Sequence, residues 1–147
     1  MRYTVLFVAL LWMTGMAKAQ HSLEVKIDNI KNDNGDILIG LYDDGNNFPR
    51  KTSDGRIVKA SKDGVTVAFH DLKPGLYAIT VLHDENSNKD MDQSKIGIPK
   101  EGFGFSNNAR ASFGPPSFDK VKIELQPGKK DTLISIDLRY LGTKKRT

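Results

Sequence analysis

Oxygen-bearing side chains recur at every second position of one short stretch: Asp84, Asn86, Asn88, Asp90 and Asp92. In a tight loop this spacing can turn five oxygens inward to face a single cation. Calcium suits such a set, because it takes about six to eight oxygen ligands at about 2.3–2.6 Å and tolerates irregular geometry. Magnesium suits it less, since it demands a near-ideal octahedron. The competing reading is a turn-rich loop whose Asx side chains bond their own backbone.

The spacing matches the opening half of an EF-hand loop, with Asp84, Asn86 and Asn88 at loop positions one, three and five and Asp92 at nine. Two departures count against a full EF-hand. Lys89 stands where the sharp turn wants glycine, and Lys95 stands where a bidentate glutamate belongs. No flanking helix is expected either.

A second set lies in residues 97–118. Phe103 and Phe105 supply flat aromatic surface, and Asn107, Asn108 and Arg110 supply hydrogen-bond donors beside them. Gly102, Gly104 and Gly114 let backbone come close to a ligand. Together these suit a sugar or a peptide. The alternative is that the phenylalanines plug into the fold and tie the segment down.

Catalysis finds little support. The chain has no cysteine, no G-x-S-x-G and no H-E-x-x-H. His21 is expected to be solvated near the chain start, and His70 to sit on the outer face of its strand. His83 ends a strand, where a bond to the adjacent loop is expected. Asp84 and Asp92 could act as acid and base only across a cleft. The expectation is a protein that is not an enzyme.

The elements that must position these residues alternate with period two. Leu23, Val25 and Ile27 form one apolar face; Ile37, Ile39 and Leu41 another; Val65, Val67 and Phe69 a third. Tyr77, Ile79 and Val81, then Val121, Ile123 and Leu125, then Ile134, Ile136, Leu138 and Tyr140 follow the same rule. A weaker strand falls around residues 56–60. About seven short strands with turn residues between them predict an all-β fold. An antiparallel sandwich of immunoglobulin-like or transthyretin-like type is expected, with a small barrel as the competing architecture. Leu72-Lys73-Pro74-Gly75-Leu76-Tyr77 resembles a tyrosine corner, in which the phenol bonds back across the turn. Residues 84–118 carry no strand or helix pattern. So long a loop in a compact domain is usually functional or disordered; Phe103, Phe105, Phe113 and Phe118 are too hydrophobic for a solvated coil, so it is expected to pack on something.

The N-terminus predicts export. Arg2 precedes an apolar run over residues 4–12, and Ala17 and Ala19 occupy the positions a signal peptidase reads. The run is too short to span a bilayer. The expected organisation is a signal peptide over 1–19 and a single domain over 20–147, periplasmic or secreted, with no membrane span in the mature chain. Removing the leader leaves 20 basic against 18 acidic side chains, a balance that argues against nucleic-acid binding.

Three segments in order, HDEN (83–86) with Asp92, GIPKEGFGFSNNA (97–109) and FGPPSF (113–118), resemble an exported bacterial family catalogued as domain of unknown function 2141. The resemblance runs from the first strand to Tyr140. It implies a β-rich, sandwich-like domain of bacterial envelopes and implies no activity. The family pattern has glycine where this chain has Lys89. The expected role is therefore a non-catalytic binding or accessory module that meets an envelope protein, peptide or glycan through the 84–118 loop. A purely structural sandwich is the alternative, and a hydrolase without a recognisable motif the third reading.

Overall fold

The computed structural model describes residues 20–141. The expected signal peptide and the basic tail 144–146 lie outside the described residues. Eight strands follow in order: β1 (His21–Asp28), β2 (Asp36–Tyr42), β3 (Asp54–Lys59), β4 (Val65–Leu72), β5 (Gly75–Asp84), β6 (Gly102–Phe105), β7 (Ile123–Leu125) and β8 (Asp131–Asp137). One helical turn, α1 (Phe118–Val121), precedes β7.

The strands form two sheets, which makes the fold an all-β sandwich. One has the order β4-β1-β8, with β1 antiparallel to β4 and parallel to β8. The other has the order β3-β2-β5-β6, with β7 paired to the first residues of β5. After β8 the chain crosses between them. Leu138 N–H donates to the Asp28 carbonyl of the first sheet at 3.0 Å, and Arg139 exchanges two backbone hydrogen bonds with Phe103 of the second.

Period-two alternation decides what is buried. Leu23, Val25, Ile27, Val67, Phe69 and Ile136 of the first sheet meet Ile37, Ile39, Leu41, Tyr77, Ile79 and Val81 of the second, forming the principal core. The second sheet also carries apolar residues on its opposite face. Tyr42, Ala78, Phe103, Phe105 and Val121 cluster there, with Phe48, Met91 and Phe118 packed around them. Tyr77 forms the expected corner, its hydroxyl donating to the Lys73 carbonyl at 2.9 Å.

Three local expectations change. First, the segment 84–118, expected to carry no strand, contains the strand β6. Its Gly-Phe-Gly-Phe alternation has unusual content but an ordinary cause. A Cβ at Gly102 would stand 2.3 Å from the Tyr140 ring, and one at Gly104 would stand 2.6 Å from Ile136. Only hydrogen fits on that face, so the phenylalanines take the other. Second, Val121 closes α1 instead of opening a strand. Phe118 and Val121, three residues apart on one helical face, both turn into the outer cluster. Third, His21 is buried, not solvated. It begins β1 between β4 and β8, and its Nδ1 lies 3.2 Å from the Lys129 carbonyl.

Candidate functional site

β5 extends to Asp84, whose side chain is buried. The close approach of Gly35 makes this possible: a Cβ there would lie 1.9 Å from the Asp84 carbonyl, and Gly35 has φ +70°. The Asp84 carboxylate turns into the following loop. It accepts the N–H groups of Asn88 at 3.1 Å and Lys89 at 2.7 Å. Asn86 Oδ1 accepts Asn88 N–H, and Asn88 Oδ1 accepts Asp90 N–H. Asp92 receives both side-chain amides, from Asn86 at 2.6 Å and Asn88 at 3.2 Å. Asp90 instead takes the N–H of Met91. Four of the five oxygen-bearing residues therefore share one hydrogen-bonded set, and Asp90 stands beside it.

Much of this set serves the loop's own backbone, as Asx turns do. Among the described residues, no group of three or more His, Asp or Glu side chains has the arrangement to hold a metal ion. The backbone course nevertheless keeps one trait of a cation loop. Lys89, at the position where the sharp turn wants glycine, has φ +64°.

Glu101 completes the loop, and sequence reasoning missed it. Its buried carboxylate accepts Glu85 N–H at 3.0 Å and Asp92 N–H at 3.1 Å, closing both ends of the segment. The sequence signal was slight: one acid directly before the β6 glycine. Ser87 donates to Asp36 at 2.7 Å, and Lys59 pairs with the same carboxylate at 2.7 Å. The Lys59 and Ser87 hydrogen bonds hold the Asp36 carboxyl below its ordinary pKa.

The aromatic set divides. Phe103 and Phe105 lie on the outer face of β6, edge to face with centroids 6.0 Å apart. The amides beside them are already engaged within the chain. Asn107 donates to the carbonyls of Lys120 and Lys122 at 3.3 and 3.0 Å, and Asn108 accepts Asp137 N–H at 2.8 Å. Both hold left-handed backbone, φ 60° and 49°. Ser106 is buried between them and β5. Its hydroxyl accepts Ile79 N–H at 3.0 Å and donates to the Val121 carbonyl. Arg110 is exposed.

Around the two phenylalanines the segment builds a groove of about 1090 Å³ on the outer face of the second sheet. Tyr42, Thr80, Phe103 and Phe105 form its floor. Ile96, Ile98, Pro99, Ala111, Phe113 and Pro115 also line it. Its lips are apolar and open: Ile96 is 81% exposed, and Phe113 is fully exposed. Lys89, Asp90 and Gln93 supply polarity where the oxygen-rich loop meets it.

The histidines are accounted for by packing. His83 is buried, with Nε2 2.8 Å from the Asn34 carbonyl and Nδ1 2.8 Å from the Tyr140 hydroxyl. His70 is exposed, as expected of an outer-face residue, and lies 3.0 Å from the Ser22 hydroxyl.

Fold and site together define an all-β sandwich with an apolar groove over one sheet. Residues 25–133 match the family model described as "Uncharacterized protein conserved in bacteria (DUF2141)". The chain belongs to that family. No curated protein and no solved structure matches the chain. Among the described residues, no helix is long and apolar enough to cross a membrane.

Proposed function

We propose that this protein is an exported, non-catalytic domain of the bacterial envelope that binds an apolar ligand or partner through the 84–118 segment. One observation carries the reading: that segment spends its length on the walls of an open groove whose lips are Ile96, Ile98 and Phe113. Concave, mostly apolar sites with a few polar groups at one end are the usual form of ligand pockets. Exposed aliphatic and aromatic side chains gathered in one patch usually mark an interaction surface. A glycan fits less well, because the amides of Asn107 and Asn108 already bond backbone. Export rests on the leader-like residues 1–19, and the periplasm is the compartment they favour. The non-catalytic reading draws on the engagement of His83 and Ser106 inside the fold.

The test is a neutral environment-sensitive dye, N-phenyl-1-naphthylamine, titrated into the protein. Ile98→Asp and Phe113→Asp should each abolish its fluorescence gain while leaving the far-UV circular dichroism unchanged. Equal dye binding by both variants and the parent chain would reject the groove.

Calcium is the cation that the 84–92 loop would take. The observation favouring it is the shared set of Asp84, Asn86, Asn88 and Asp92, with the sharp turn at Lys89. An ion there would replace the two side-chain amide donors at Asp92 and add stability by mass action. A melting temperature that is the same in calcium and in EDTA would reject it.

A further inference from the structure

We infer that the groove takes a single long aliphatic chain with an anionic head group, the head lying beside Lys89. The inference rests on the groove reading above and names its ligand class.

The floor decides against a peptide. β5 is paired on both sides, with β2 and β6, and β6 has β5 on one side and the Arg139 bridge on the other. The backbones of Leu38, Leu82 and Phe103 in this row are thus already paired with neighbouring strands or with Arg139. The Thr80 hydroxyl is within reach of the Tyr42 phenol, 3.4 Å away. A peptide lying there would lose water from its amides and find few backbone partners in the paired strands beneath it, which is unfavourable. A methylene chain has nothing to leave unpaired.

The apolar surface also has the shape of a chain. In the sheet register Phe103 faces Leu82, Leu82 faces Leu38, and Leu38 faces Ile57. These four side chains form one row on the outer face, across β6, β5, β2 and β3. At the usual strand spacing the row is about 14 Å long, the reach of a dodecyl chain. Leu82 lines the groove itself, so the row and the groove are continuous. Ile57 remains 56% exposed at the far end.

The head group follows from charge. Lys89 lines the groove and makes no salt bridge with any described residue. Asp90 also lines the groove beside it, with one carboxylate oxygen accepting the Met91 N–H. Lys89 also holds φ +64°, a conformation that a residue with a side chain adopts at a cost. The Lys89 ammonium makes only a longer-range interaction, with Asp36, and at the polar end of an apolar groove it suits a carboxylate.

The experiment displaces bound N-phenyl-1-naphthylamine with laurate, dodecanol and dodecyltrimethylammonium below their micelle concentrations. Laurate should displace the dye at concentrations about tenfold lower than the cationic amphiphile. Lys89→Gln should weaken laurate by about tenfold and leave dodecanol unchanged. Equal displacement by laurate and the cation, or an unchanged laurate affinity in Lys89→Gln, overturns the head-group assignment. If dye binding itself survives Ile98→Asp, the groove reading fails instead. Lys89 and Ile98 are both exposed, so neither variant threatens the fold.

Discussion

The phenol of Tyr140 stands 2.8 Å from Nδ1 of buried His83, 57 residues earlier in the chain. A carbonyl only accepts, so the Asn34 oxygen at 2.8 Å requires a proton on Nε2. Nδ1 is then left to the Tyr140 phenol, so the ring is held at both nitrogens. The same oxygen accepts Lys31 N–H at 3.0 Å. One hydroxyl thus joins the end of β5, the turn before β2 and the segment after β8. Tyr140→Phe should lower stability by about 1–2 kcal/mol, read as a lower urea midpoint at constant slope. An unchanged midpoint would mean that this network contributes nothing net.

Burial pushes the phenols of Tyr140 and Tyr77 above the ordinary tyrosine pKa. The folded state then holds its protons more tightly than the unfolded chain. Their contribution is fully present below about pH 10, the unfolded value, and is lost as pH rises through the folded values. Urea midpoints should fall from about pH 10 upward, and the fall should be shallower in Tyr140→Phe.

At the acid end the sign reverses. Asp36 is held below the ordinary carboxylate value by its hydrogen bonds with Lys59 and Ser87. Its contribution is present above about pH 4 and is lost as pH falls through the lowered pKa. Ser87→Ala should move the acid unfolding midpoint to higher pH. A midpoint that does not move would show that the loop is not anchored at Asp36.

Gly102→Ala should cost about 1–3 kcal/mol, because its methyl group would meet the Tyr140 ring 2.3 Å away. Gly55→Ala is the contrast within the same sheet, since its nearest neighbour would be a carbonyl at 3.4 Å. Thermal melting of the two variants should separate them clearly.

Lys89→Gly removes a side chain from left-handed backbone and should raise stability by up to about 1 kcal/mol, net of the flexibility glycine adds to the unfolded chain. A lower urea midpoint would mean that the lysine side chain stabilises the loop by more than its backbone strain costs.

The strands are legible in the sequence because each buries one face. Leu23, Val25 and Ile27, or Tyr77, Ile79 and Val81, announce themselves through alternation, which depends only on neighbours in the chain. The tyrosine corner was readable for the same reason, since Lys73 and Tyr77 are four residues apart. Asp84, Asn86, Asn88 and Asp92 were also visible as a set, though their spacing could not say that Asp84 would turn to backbone N–H groups.

β6, His21, Glu101 and the uses of Asn107 and Asn108 were not readable, because each depends on a distant partner. Gly102 is glycine on account of Tyr140, and Glu101 is buried to satisfy Glu85 and Asp92. Asn108 matters through Asp137. The sequence by itself determined the alternating elements and the stretch of oxygen-bearing side chains, both local properties. Tertiary packing decided that the long segment would cover the outer face of a sheet and leave an apolar groove there. That outcome depends on which side chains the segment meets across the fold, and local patterns do not contain it.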